Sequence, residues 1–244
     1  MLTGIVLTHN EEKNIARCLE PLKFCDQILV VDDNSTDKTV QLAKKLEASV
    51  INHSLDDNFA AQRNWALSQA KTPWVLFVDA DEIVPVKLGE EIKSAVKKIE
   101  YKGFLISRTD YMWGKKLAHG DVGGVKLLRL ARRGAGDWHG AVHEQWQIEG
   151  NVGILRHPIF HYPHPTMVEF LQEINHYSSL RAQELHAAGQ HSSLFKIVFY
   201  APAKFLWLWL CRWGFLDGTA GFVHAMTMAF YSFLVRGKLW LLWR

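Results

Sequence analysis

Cysteine is scarce in this chain. There are three in 244 residues, Cys18, Cys25 and Cys211. Their odd number and irregular spacing exclude a disulfide framework and a cysteine-built metal site, and fit ordinary thiols in a reducing compartment. Charge of one sign is scarce too. A net charge of +3 is too small for a nucleic-acid-binding surface. Glycine is missing from the first polar cluster, Thr8-His9-Asn10-Glu11-Glu12. A dinucleotide loop needs glycines for close backbone approach to a pyrophosphate, so that site is excluded there while other nucleotide modes stay open. No internal repeat and no low-complexity linker is visible. The opening MLTGIVLTHNEE lacks a basic leader region and reads as a first β-strand, so the catalytic part is expected to stay in the cytosol.

What is present is a folded composition, with 48% hydrophobic and 22% charged residues. Up to about residue 100, short apolar runs alternate with helical patterns. Strands are expected at residues 3–8, 27–31, 49–52 and 74–78. Helices are expected at 11–22, 38–46, 58–70 and 85–99, with Asn10 as N-cap of the first and Pro85 opening the last. This rhythm predicts a doubly wound, mostly parallel α/β sheet flanked by helices. From 103 to 162 the rhythm changes to short strands at 104–108, 125–129, 142–147 and 154–160, a partly antiparallel extension. A helix is expected at 168–188.

Three polar clusters close three of the early strands, where ligands of open α/β sheets bind. The first is 8–12; its simplest reading is a helix cap with two glutamates complementing the dipole. The second is Asp32-Asp33-Asn34-Ser35-Thr36-Asp37. A carboxylate here can accept hydrogen bonds from a base or from ribose hydroxyls. Ser35 or Thr36 would cap the next helix, and two adjacent acids are more than a cap requires. The third is Asp79-Ala80-Asp81-Glu82. Two carboxylates two residues apart at the end of a buried strand can point into one crevice and hold Mg2+ or Mn2+ against phosphates. The competing reading is a pair of solvated turn acids.

In order, spacing and strand-end placement, these clusters, with Gln62-Arg63-Asn64 between them, resemble the family 2 inverting glycosyltransferases of the GT-A fold. Trp138-His139-Gly140-Ala141-Val142-His143-Glu144 and the tail Arg212-Trp213-Gly214-Phe215-Leu216-Asp217-Gly218 resemble the small lipopolysaccharide core β-glucosyltransferases within it. The resemblance covers nearly the whole chain. It implies that Asp33 recognises the uracil or ribose of a UDP-sugar, with Thr8, Asn10 and Glu11 lining the nucleotide pocket. It implies that Asp79 faces the ribose or donor sugar, that Asp81 holds the metal, and that Arg63 contacts donor sugar or diphosphate. Many relatives have glycine where this chain has Asn34, which tolerates the same left-handed backbone.

Inversion requires a base for the acceptor hydroxyl outside the metal site. Glu144 is the first choice, with Asp137 and Asp121 behind it. Histidines gather at His139, His143, His157, His161 and His164. Without cysteines they do not read as structural zinc, and His161 is the candidate to complete the catalytic metal shell.

From residue 191 the chain carries six Lys or Arg against the single acid Asp217, and five of the ten tryptophans. The apolar segments 196–211 and 218–235 are interrupted or borderline for spanning a bilayer. They predict a helical appendage lying on a membrane surface, with a core cap or a homodimer face as the other readings. The expected organisation is a GT-A domain over 1–190 (nucleotide-sugar half 1–100, acceptor half 101–190) and an appendage over 191–244. The expected activity is transfer of glucose from a UDP-sugar to a lipid-linked saccharide such as core heptose, at the cytoplasmic face of the inner membrane. Polyprenyl-phosphate glycosylation and a non-catalytic nucleotide-sugar-binding module are the alternatives. A sugar nucleotidyltransferase fits less well, because such enzymes open with a Gly-rich basic loop.

Overall fold

The computed structural model describes residues 1–56, 58–140, 144–163 and 166–244. The chain divides into two compact units, residues 1–108 with 126–161, and residues 109–125 with 162–244. The expected boundary at 190/191 falls inside the second unit.

The first unit is built on β1 (Leu2–Thr8), β2 (Gln27–Asp32), β3 (Ser49–Asn52) and β4 (Trp74–Asp79), all parallel, in the order β3-β2-β1-β4. Their continuous apolar runs follow from burial on both faces. In β4, Trp74, Leu76 and Val78 pack on one side, and Val75 and Phe77 on the other. The first side is covered by α1 (Ile15–Leu19), α2 (Thr39–Lys45) and α4 (Val86–Ala95). The second is covered by α3 (Phe59–Gln69) together with Trp138 and Trp146. Beyond β4 the sheet becomes mixed. After β5 (Glu82–Ile83) come β6 (Gly103–Met112), β7 (Lys115–Leu117) and β8 (Lys126–Arg132), and β8 pairs antiparallel to both β4 and β6. In a separate two-stranded sheet β9 (Gly136–His139) pairs antiparallel with β10 (Gln145–Ile148), and β11 (Val152–Ile154) and β12 (Ile159–His161) complete the set. The first four strands are all parallel, and the added strands bring the antiparallel pairs expected from the change of rhythm, with β11 pairing parallel to β6.

Two local expectations change. The helix expected over 11–22 shrinks to α1, followed by a 3-10 turn at Glu20–Phe24. Asn10 does not cap it; with φ 54° it sits in the left-handed region and its side chain turns to the neighbouring loop. The strand expected over 154–160 is two strands, β11 and β12, separated by residues 155–158. Of the strand expected at 142–147, Val142 and His143 lie outside the described residues and 145–147 belong to β10.

The second unit holds the last residues of β6, β7, α5 (Met167–Ala187), α6 (Leu194–Leu206) and α7 (Gly218–Leu241). Thr166 and Glu169 form a reciprocal capping box on α5. A π-helical turn at Trp207–Cys211 continues α6, and a 3-10 turn at Gly214–Asp217 leads into α7. Asp217 accepts hydrogen bonds from the amides of Ala118 and His119 and contacts the His119 ring at 2.8 Å. It thereby fixes the segment after β7. Asp121, considered as a base, pairs with Lys204 at 2.9 Å.

Candidate active site

Parallel register puts the strand ends in one row. Thr8 lies beside Asp32, and Leu7 lies beside both Val31 and Asp79. The polar clusters therefore emerge together at the carboxyl edge of β1, β2 and β4, where the sheet itself stops supplying partners for the backbone.

The first two clusters are laced to each other. Asn10 Oδ1 accepts from the Thr36 amide at 2.8 Å, and the Asn10 amide donates to Ser35 Oγ at 2.8 Å. The Glu11 amide donates to Thr39 Oγ1 at 2.7 Å, and the Glu12 amide to Asp37 at 3.0 Å. The two adjacent acids separate. Asp32 is buried and accepts from Thr8 Oγ1 at 3.1 Å and from the Ser35 amide at 2.9 Å, so it shapes the loop. Ser35 thus serves this loop rather than capping α2, whose first amide, that of Thr39, donates to Asp37 instead. Asp33 is half-buried, receives the Leu55 amide at 3.1 Å and lies 3.7 Å from His9 Nδ1. Asn34 has φ 53°, the left-handed geometry expected of it. Thr8, Asn10, Glu11 and Asp33 are thus brought to one corner.

The third cluster centres on a charge network. Asp79 accepts from Arg63 Nη2 at 2.7 Å and from both terminal nitrogens of Arg129. Arg63 comes from α3 and also donates from Nε to Glu144 at 2.8 Å. Its guanidinium lies 4.8 Å from the Trp138 ring centre, over an aromatic wall. Burial pushes the Asp79 carboxyl up, but Arg129 and Arg63 outweigh it and hold the group well below the usual carboxylate range. Fully buried Glu82 receives the Asp79 amide at 3.0 Å and stands 3.7 Å from Arg129. Its carboxyl is pushed up by burial; Arg129 opposes the shift and Asp79 reinforces it.

Asp81 stands apart from this network. Its Oδ2 lies 3.2 Å from His161 Nε2 at the end of β12. A carboxylate oxygen and an imidazole nitrogen this close suit a small divalent cation that keeps waters and takes phosphate oxygens. Among the described residues no three His, Cys, Asp or Glu converge to hold a metal by themselves. His157 pairs with Glu91, and His143 and His164 lie outside the described residues. Asp137 occupies the outward-facing side of β9, next to buried Trp138.

Sequence reasoning missed Arg129. Its signal was a lone cation inside the apolar stretch Leu127-Leu128-Arg129-Leu130, which needs a buried carboxylate to be tolerated.

The sequence model described as "Glycosyl transferase family 2" matches residues 3–142, more than half of the chain and all three acidic clusters. The chain belongs to this family. It is a glycosyltransferase, and its mixed sheet flanked by helices is the GT-A architecture of the family's enzymes. A lipopolysaccharide core biosynthesis glycosyltransferase, LpsC of Rhizobium meliloti (strain 1021), is 32% identical, covering 98% of this chain and 92% of that one. An uncharacterized glycosyltransferase of Rickettsia typhi (strain ATCC VR-144 / Wilmington) is 28% identical over 98% of this chain and 86% of its own. Among solved structures, S. aureus TarS 1-349 in complex with UDP-GlcNAc shares the fold with a TM-score of 0.51 at 16% identity, covering 95% of this chain and 81% of that one.

Proposed function

We propose that this glycosyltransferase moves glucose from UDP-glucose, with inversion, to a saccharide carried on a lipid, the heptose region of a lipopolysaccharide core. The observation that carries the reading is the row of strand ends, which gathers Asp33, Asp79 and Asp81 at one edge of the sheet. The acceptor class rests on the likeness to LpsC, a lipopolysaccharide core biosynthesis enzyme. The uridine donor rests on the acidic clusters and agrees with the UDP-GlcNAc of TarS.

Asp33 takes the uracil or ribose, in a pocket lined by Thr8, Asn10 and Glu11. Arg63 and Arg129 fix Asp79, whose remaining lone pairs face ribose or sugar. Asp81 and His161 would hold Mg2+ or Mn2+, which would supply charge stabilisation for the departing diphosphate. Glu144, oriented through one oxygen by Arg63, takes the proton of the acceptor hydroxyl as it attacks the anomeric carbon. Inversion follows because a single displacement delivers the acceptor to the face opposite the leaving group. The enzyme works at the cytoplasmic face of the inner membrane, where such an acceptor presents its sugars.

UDP release with Mn2+, a panel of UDP-sugars and a truncated lipopolysaccharide acceptor tests the reading. Glucose is the expected donor, with activity abolished by EDTA and by Asp81→Ala. Activity that survives both treatments defeats the metal-assisted mechanism. Full turnover by Glu144→Gln shifts the reading to a lipid-phosphate acceptor, which is already ionised and needs no base.

A further inference from the structure

Two segments of the second unit, Leu194–Cys211 and Gly214–Leu241, are long and apolar enough to cross a membrane. Their packing in this unit argues for a different arrangement. Along α6 and the turns after it, Phe195, Phe199, Leu206, Leu210 and Trp213 are exposed. Within α6 the spacing of Phe195, Phe199 and Leu206 by four and seven residues places them on one helical face, and exposed Leu210 and Trp213 follow in the turns beyond it. On α7, Phe222, Met226, Phe230 and Phe233 form a second exposed stripe. The helices pack together, with Phe222 edge-on to Phe205 at 5.4 Å and to Trp209 at 5.2 Å, so the two stripes adjoin.

The opposite faces of these helices are tied to polar protein. Lys204 of α6 is ion-paired to Asp121. Lys238 of α7 donates to the Asn175 carbonyl and side chain and to Ser178 and Ser179, all on α5 at 2.6–2.8 Å. Helix α5 is itself rich in charge, with Glu169, Glu173, Arg181 and Glu184. Neither apolar helix can cross hydrocarbon without carrying α5 and the Asp121 segment with it. One face is therefore exposed and apolar while the other is packed on polar protein.

Charge decides what covers the apolar face. Of the six cations beyond residue 190, Lys204 and Lys238 are held on the protein side and Arg236 lies over the Tyr200 ring, which leaves Lys196, Arg212 and Arg244 exposed, while the single acid of this stretch, Asp217, is turned inward onto Ala118 and His119. A second copy across a two-fold axis would set cations against cations. An anionic surface complements them, and the exposed Trp207, Trp213 and Trp243 suit the headgroup level.

We propose that the α6–α7 face lies in the plane of an anionic phospholipid leaflet, with both aromatic stripes inserted to the headgroup–acyl boundary and no segment spanning the bilayer. This deepens the membrane part of the proposed function. Its failure is distinguishable from failure of the catalytic reading, because vesicle binding requires neither donor nor acceptor.

The test is flotation of the full chain with vesicles of phosphatidylcholine alone or with about 30 mol% phosphatidylglycerol. Binding is expected to the mixed vesicles, with loss at about 0.5 M NaCl. Phe199→Glu and Phe230→Glu should each weaken partitioning about tenfold or more. Phe195→Glu, at a position 67% exposed, repeats the test where folding is least at risk. Lys196→Glu should reduce the preference for anionic vesicles. A fluorophore on exposed Cys211 should be quenched more by shallow than by deep brominated lipid. Deeper quenching by the deep label overturns the in-plane arrangement. Failure to float, with a dimer in light scattering that Phe199→Glu dissociates, overturns the lipid occupant in favour of a second copy.

Discussion

Replacing Arg129 by methionine should be the most damaging single change in the first unit that touches no substrate. Methionine keeps most of the volume and removes the charge. Arg129 is 7% exposed and faces two carboxylates, Asp79 and fully buried Glu82. Removing one partner of a buried ion pair costs about 3–5 kcal/mol, because the other charge stays desolvated. Asp79 retains 29% exposure and a second arginine, which favours the lower end, about 3 kcal/mol. At about 2–4 °C per kcal/mol for a chain of this size, the melting temperature should fall by roughly 6–12 °C. Thermal unfolding followed by circular dichroism reads this directly. A double-mutant cycle with Asp79→Asn sharpens it: the paired change should cost about 1 kcal/mol or more less than the sum of the singles. A variant within about 1 kcal/mol of the parent, or strict additivity, would refute the claim that Arg129 is held by buried charge.

Other consequences are open to simple measurement. Glu91 accepts the amides of Arg156 and His157 at 2.9 and 3.0 Å and meets the His157 ring at 2.8 Å; burial pushes its carboxyl up, but these bonds leave it lowered overall. Its stabilisation is therefore complete above the ordinary glutamate range and is lost as pH falls through the lowered folded value. Glu91→Gln should cost about 1–2 kcal/mol at pH 7 in urea unfolding, with the gap closing in acid. Cys18 is buried, and burial pushes the Cys25 thiol up to about 12, whereas Cys211 is exposed. Ellman's reagent at pH 8 should therefore find one fast thiol, removed by Cys211→Ser, and three thiols in denaturant. Asn34→Val, a β-branched residue at φ 53°, should cost about 1–3 kcal/mol, whereas Asn34→Gly should be nearly neutral in the same melts.

The family and the candidate site were legible in the sequence because their signals are local. A parallel strand buried on both faces must be an unbroken apolar run, and the chain must turn polar where the sheet ends. Residues 3–8, 27–31 and 74–78 announce themselves in this way, and so do the acids that follow them. Asn34 in the left-handed region was readable from residue type. The basic, aromatic tail was equally visible, since one acid among six cations over fifty residues needs no fold to be noticed.

Only the tertiary structure assigned the partners. Asp32 and Asp33 are chemically identical neighbours, and the pleat sends one into the loop and leaves the other half-buried at the crevice. Asn10 reads as a cap from its neighbours along the chain, yet it bonds to Thr36, brought beside it by the parallel pairing of β1 and β2. The Asp79-Ala80-Asp81 pair reads as one metal motif. Packing divides it, because Arg63 from α3 and Arg129 from β8 both converge on Asp79, whereas Asp81 meets His161 from β12. Hydrophobic pattern is written locally and fixes where strands end. Charge pairing depends on which distant segments the sheet order places side by side, so the division of roles within that motif was decided by the fold.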